Sequence, residues 1–499
     1  MALLIKSVHI LGSNRPADER VDVLVQGEQV SAIGDFPNKK ADEVIDGQGA
    51  YISPGFIDID TTSDHYLTLF SDPGQEDFLR QGVTTIIGGQ CGASLAPILS
   101  GNLDSIRGWG DTSAINVNWH SIGELFGLMK TRALGVNFGT MVGHSTIKKP
   151  LTRGQSRDLN LDEIAAVSRI LRNSLEDGAF GLSTGLGSSY GKGTSYKELR
   201  VLGDLLKEAR GIYSTHLRRG GEELPLSIQE TKKFFEETGA STLITHFTPV
   251  KGNESAYEAA LAEINQIPAG ADFHFSLPPF AVSTVPLTSF LPAWAQVGGM
   301  DAAAKVIADP HQTEHLLTEL PSISGKDLSV AQAPRNDFLV GKTLQELMQT
   351  FSLPTSKKAL LRLMAATKMR AVVHYKNLNI ALVKEALKSP HALVASHAPS
   401  FGEKKNFLKS DRSTSTFPQF LRLVEKEKLL SLDEAVKRIT SVPARKLGLK
   451  GRGEIKEGNI ADLAVWKNGE VKCTIVGGKL AFKNGEITGT KNGKVLKHV

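Results

Sequence analysis

Cysteine is nearly absent from the 499-residue chain: it has two, Cys91 and Cys473, far apart and in no CxxC pattern. That excludes a disulfide framework and points to a reducing compartment. Long hydrophobic runs are missing too. No window approaches ~18 uninterrupted apolar residues, which excludes a transmembrane helix. The opening "MALLIKSVHIL" is broken by Lys6 and His9, and no small-residue cleavage site follows, so it does not read as a secretory leader. The expected location is the cytoplasm, with no membrane partner. Neither sign of charge dominates: 58 Lys plus Arg stand against 53 Asp plus Glu, and the basic residues are dispersed. Without a basic stripe there is no expectation of a nucleic-acid partner. "GGQCGAS" and "VGGKLAFKNG" are glycine-rich but form neither a Walker pattern nor a GxGxxG after a strand, so no nucleotide cofactor is implied. Ser183, in "GLSTGL", lacks the GxSxG elbow of a serine nucleophile.

Apolar residues make up 40% of the chain, enough for a large core. Residues 1–52 carry short alternating runs such as "VDVLVQG". Residues 441–499 do the same and include Asn468-Gly469 and Asn484-Gly485, the dipeptides that most strongly mark hairpins. The economical reading is one small β-sandwich domain built from both termini, with residues 53–440 inserted into it. That long middle alternates β-branched runs with helical stretches such as "LDEIAAVSRILRNSLEDG" and "LPLSIQETKKFFEETG", each ending in Gly. Repeated units of this kind predict a parallel sheet, here a (β/α)8 TIM-type barrel. A Pro- and Ala-rich stretch, about 284–354, breaks the rhythm and reads as an insertion over one rim.

Four of the strand-like runs end in a small residue and then histidine: "MVGH" at His144, "YSTH" at His216, "LITH" at His246 and "VASH" at His397. A fifth, "IIGGQC", ends in Cys91. In a barrel the C-terminal strand ends converge on one mouth, so these side chains are expected to meet there. His216 and His246 are one strand-helix unit apart, which suits adjacent strand ends. A cysteine with two histidines and an open fourth position is a set that zinc prefers.

The stretches "VIDGQGAYISPGFIDID", "QGVTTIIGGQCGASLAP", "MVGHSTIK", "EDGAFGLSTGL", "STHLRRGGEEL", "LITHFT", "DRSTSTFPQFLRL" and "SVPARKLGLKGRGEIKEGNIADLAVW" resemble the amidohydrolase superfamily, and within it the N-acyl-D-amino-acid deacylases (D-aminoacylases), over nearly the whole chain. The resemblance implies a deformed (β/α)8 barrel with a split β-sandwich. It also implies a tightly held zinc on Cys91, His216 and His246. Arg412 and Ser283 match family residues that hold the substrate's carboxylate, whereas Leu277 stands where the family has tyrosine. Lys404, Lys405 and Lys409 add positive potential just before Arg412.

Two family features are replaced. The first strand, which in the family ends in His-x-His and binds a second, weaker metal, here carries Asp60 and Thr62; one zinc ion is therefore expected and not two. Where the family's last barrel strand supplies a catalytic Asp, this chain reads Ser396-His397-Ala398. The carboxylate and the imidazole have changed places on neighbouring strands. The expectation is an Asp60–His397 pair, the carboxylate fixing the ring's tautomer and His397 acting as proton shuttle. His144 is placed behind the site, with Asp64 and His65 at the mouth. The implied function is hydrolysis of a linear amide in a small carboxylated molecule. The alternatives are a catalytically silent binding protein of this fold, or a hydrolase of cyclic amides or dipeptides.

Overall fold

The computed structural model describes residues 2–498 except 14, 15, 17, 100, 102, 189, 190, 297, 298, 404 and 405. Nine strands from the two termini share one sheet. Its junction is Tyr51–Pro54, which lies parallel to Ala2–Ile10 on one side and antiparallel to Leu463–Lys467 on the other. Both NG dipeptides turn hairpins: Asn468 (φ 53°) and Gly469 (66°) link paired Lys467 and Glu470, while Asn484 (47°) and Gly485 (94°) link Lys483 and Glu486. Positive φ at both central residues is what a type I′ turn requires. The sheet's other end is fastened back where Val30 N–H donates to the Asn459 carbonyl at 2.9 Å, around a core that includes Leu3, Val23, Ile52 and Ile475. The ladders thus draw one sheet bent onto itself. Two facing sheets were expected, but the shared Tyr51–Pro54 strand makes the terminal halves continuous.

Eight parallel strands follow in the middle: β1 (Phe56–Asp58), β2 (Val83–Gly88), β3 (Asn137–Thr140), β4 (Gly181–Gly185), β5 (Ile212–His216), β6 (Ser241–Ile244), β7 (Phe273–Leu277) and β8 (Ala392–Val394). β1, β2 and β3 form one arc. Val142–Gly143, which continues β3 beyond Met141, starts a second arc running through β4 to β8. No ladder joins β8 to β1 among the described residues, so a closed barrel is not drawn. The reason is local. β8 is three residues long, and the Ser396 N–H, which would extend it, donates to the Asp58 carboxylate at 3.2 Å. His397 then turns to φ 44°, leaving two backbone bonds across the seam, His397 N–H to Asp60 O at 2.8 Å and Thr62 N–H to Ala398 O at 3.3 Å.

Helices pack outside these strands. Leu161–Asp177 begins with a capping box between Asn160 and Glu163 and stops at Gly178 (φ 113°); it buries Ile164, Val167, Leu171 and Leu175, one stripe at helical spacing. Leu224–Thr238 stops likewise at Gly239. Each large apolar side chain buried this way contributes about 1.5–3 kcal/mol relative to exposure. Residues 283–375 hold a separate three-stranded antiparallel sheet, Ser283–Pro286, Val372–Tyr375 and Leu328–Gln332, with a cluster of their own around Leu287, Leu316, Leu347 and Leu363. Among the described residues no helix is long and apolar enough to cross a membrane.

Candidate active site

Cys91 sits on a tight turn after β2, and its neighbours explain why the chain can turn there. Gly89 has φ 73°, and a Cβ at that position would lie 2.2 Å from the Met141 carbonyl; Gly92 has φ 79°, and its Cβ would meet the Gly185 nitrogen at 2.6 Å. Only glycine fits either place. The Asp64 carboxylate accepts the Gly89 N–H at 2.6 Å, and the buried Gln90 amide donates to the Ile59 carbonyl while its oxygen accepts from Ser214. The turn is thereby pinned to both arcs. Cys91 itself is held at φ 54°.

Two imidazoles, His246 and His397, gather at the thiol, and His216 lies against His246. Cys91 Sγ lies 3.3 Å from His246 Nε2, which in turn is 2.9 Å from His216 Nδ1. The His246 ring packs against those of His216 and His397 with centroids 4.5 and 4.4 Å away. The donor atoms of Cys91, His246 and His397 all fall within 4.8 Å of one another. Burial drives His216 down to about 4, with the charge of His397 adding to it, and holds His246 well below the ordinary histidine value. Both rings are therefore neutral near pH 7, with lone pairs to give. Burial, and then Asp60, push the Cys91 thiol well above its ordinary range, with a smaller contribution from Asp64. A divalent cation among these donors would answer the carboxylates and convert the thiol to a thiolate, so the set fits a metal of the zinc kind.

Asp60 and His397 meet across the open seam. His397 Nδ1 is 2.9 Å from Asp60 Oδ1, and Asp60 is wholly buried whereas the His397 side chain keeps 13% of its surface exposed. The second carboxylate oxygen accepts from the Ser276 hydroxyl at 3.0 Å, and Ser276 Oγ accepts the His246 N–H at 3.0 Å. One serine thus ties the Asp60 carboxylate to the backbone of His246. Nothing in the sequence pattern singled Ser276 out, although it lies one residue before the end of β7, where a strand-end polar group faces the mouth.

The remaining candidates are spread more widely. Arg412 is buried, and its Nε and Nη2 donate to the carbonyls of Ser396 (2.9 Å) and His397 (3.3 Å). Burial lowers it to about 10, against the pull of Asp60. Ser283 donates to Asn377 Oδ1 at 2.6 Å on the small antiparallel sheet, and Leu277 is buried at the end of β7. Lys409 pairs with Asp77 at 2.6 Å; Lys404 and Lys405 lie outside the described residues. His144 begins the helix His144–Leu151 and is bound to Glu198 at 2.7 Å, with Lys148 on the other carboxylate oxygen at 2.8 Å. His65 reaches the Ala93 carbonyl at 3.1 Å. A narrow cavity of about 20 Å³ opens beside His397 and Thr62, lined by Tyr66, Trp109, His374, Phe401 and Phe407 among others. Tyr66, Trp109, Phe401 and Phe407 lie in loops and carry no periodic signal.

The Amidohydrolase family model matches residues 348–481. A D-aminoacylase of Alcaligenes xylosoxydans xylosoxydans is 26% identical over 478 residues, covering 95% of this chain and 89% of that protein. The N-acyl-D-glutamate deacylase of the same organism is 25% identical, covering 90% and 83%. The chain is thus similar to D-aminoacylases of the amidohydrolase superfamily over nearly its whole length. Solved structures agree on the fold. An N-acyl-D-glutamate deacylase of Bordetella bronchiseptica, complexed with zinc and a phosphonate inhibitor, superposes with a TM-score of 0.82 at 23% identity, covering 99% of both chains. A D-aminoacylase gives 0.80 at the same identity and coverage. The two arcs are accordingly a TIM-barrel type of fold, open at one seam.

Proposed function

We propose that the protein hydrolyses the linear amide of a small carboxylate-bearing molecule of the N-acyl-amino-acid type, using a single zinc ion held by Cys91, His216 and His246. The observation that carries this reading is the Asp60–His397 pair set beside the Cys91 thiol and His246, with His216 in contact with His246. Relatives across nearly the whole chain are deacylases of N-acyl-D-amino acids, and one structural neighbour holds zinc with an inhibitor described as mimicking a tetrahedral intermediate. When bound, the ion supplies Lewis acidity toward a carbonyl and makes water acidic enough to react near neutral pH.

The chain's own residues do the rest. Asp60 accepts the Nδ1 proton of His397, which leaves Nε2 as the basic nitrogen. His397 Nε2 takes a proton from water and returns it to the departing amine. Ser276 holds the Asp60 carboxylate in register with His246. Arg412 acts on the substrate's carboxylate through its positive charge, since two of its N–H groups are committed to carbonyls. Ser283 joins it by leaving Asn377.

The test is metal analysis of protein purified without chelator, alongside a hydrolysis panel of N-acyl-D-amino acids, dihydropyrimidines and isoaspartyl dipeptides. The expected result is one zinc per chain, lost in Cys91→Ala, and turnover of an N-acyl amino acid. Turnover confined to the cyclic or dipeptide members would move the substrate class. One zinc with no turnover on any member would favour the silent binding protein, and zinc-free protein would sink the reading.

A further inference from the structure

The family-like ligand set of one thiolate and two imidazoles leaves a fourth position, and the geometry fills it from within the chain. We propose that in the resting protein His397 is itself a metal ligand, through Nε2, completing a closed set with Cys91, His216 and His246. The inference rests on the metal site proposed above and departs from it in one respect: the imidazole that handles the proton must first leave the ion.

Three observations point the same way. The donor atoms of Cys91, His246 and His397 gather within 4.8 Å, the reach of ligands around one ion. His397 Nδ1 is already taken by Asp60, so Nε2 is the atom the ring has left to offer. A carboxylate on the far nitrogen of an imidazole is the usual support of a metal-bound histidine, fixing its tautomer and aiming its lone pair. Asp60 is in turn held by Ser276, which also bonds the backbone of His246, so the support and a ligand share one anchor.

The backbone gives a second, independent sign. Cys91, His246 and His397 all lie in the left-handed region, with φ of 54°, 39° and 44°. For residues other than glycine such a conformation is strained, and it persists where the surroundings demand it. Sixteen of the described non-glycine residues have positive φ, and all three residues whose donor atoms converge are among them. A closed four-ligand set would hold its ion more tightly than an open one, and it would admit water or substrate only on release of His397.

The experiment uses the full chain loaded with cobalt(II) or zinc alone. X-ray absorption counts the sulfur ligand and, from the outer-shell scattering of their rings, the imidazoles among the nitrogen and oxygen ligands, and the rate of metal loss to excess chelator is measured in the wild type and in His397→Asn. The expected result is one sulfur and three imidazoles in the wild type, becoming one sulfur, two imidazoles and oxygen in the variant, with loss at least ~10-fold faster. A wild-type sphere with two imidazoles and a water would overturn the inference while leaving the proposed hydrolase intact. A sphere without sulfur, or no bound metal, would overturn both. The wild-type count decides the matter even where the variant fails to fold.

Discussion

Asp60→Asn is the substitution that most directly probes how this site handles a proton. Burial alone would raise the Asp60 carboxyl, but His397, by charge and hydrogen bond, then Ser276 and Arg412, bring it below its ordinary value, so it is a carboxylate at neutral pH. Asparagine keeps the shape and removes the charge. If its oxygen takes the place of Oδ1, His397 keeps the Nδ1–H tautomer and loses only the charge-assisted part of one hydrogen bond, about 1–1.5 kcal/mol, or roughly tenfold in rate. If its NH2 group turns toward Nδ1, the ring must protonate Nε2 instead, and the basic nitrogen disappears. A flipped tautomer of this kind costs as much as ~10⁴-fold in a histidine-carboxylate couple. Two measurements separate the cases: kcat/KM on the panel substrate that turns over, and nitrogen chemical shifts of 15N-labelled histidine, which report the protonated nitrogen. A wild-type rate with an unchanged His397 tautomer would show that the carboxylate does not act through this ring.

Two further predictions concern stability. Glu198→Gln removes the partner of Lys148 and His144 in a site where all three side chains are at most 2% exposed, so the variant should lose about 3–5 kcal/mol of unfolding free energy in urea titrations; an unchanged midpoint would mean that water reaches Lys148. Burial holds His274 at about 4, against 6.5 for a free histidine, so the unfolded chain binds the extra proton first and stability is lost as pH falls from about 6.5 toward 4. This one residue accounts for about 3 kcal/mol across that window, and His274→Gln should flatten the acid side of the stability profile by a comparable amount; an unaltered slope would refute it.

The strand-end histidines were legible because an apolar run, a small residue and a histidine is a local pattern, and parallel strands bring such ends together. The same pattern misleads at His144. There the chain passes from Gly143 directly into a helix, and the ring is taken up by Glu198 and Lys148. Lys148 lies four residues on, which places it on the same helix face, and that spacing was the available clue. The exchange of carboxylate and imidazole between the first and last strands was readable, and the 2.9 Å contact follows from it. The open seam was not readable. It arises because a side chain, Asp58, takes the N–H that a ladder would use, and no residue pattern distinguishes a buried strand aspartate from one that interrupts pairing. Tyr66, Trp109, Phe401 and Phe407 around the cavity come from loops, where neither period of secondary structure applies.

That open seam decides what Arg412 is for. With no ladder between β8 and β1, the end of β8 is held by groups that are not strand: Asp58 on the Ser396 N–H, and Arg412 on the Ser396 and His397 carbonyls. Arg412 therefore holds the backbone at His397 as well as having the proposed role of supplying charge for a substrate carboxylate, and the two roles part company in Arg412→Lys. Lysine keeps the charge but has no fork to span two carbonyls. If positioning dominates, kcat falls about tenfold or more with little change in KM, because His397 is misplaced after substrate has bound. If gripping the carboxylate dominates, KM rises with kcat nearly unchanged, as for an interaction made equally in the ground and transition states. The two committed N–H groups argue for the first outcome, and a pure KM effect would show that Arg412 abandons the carbonyls when substrate arrives.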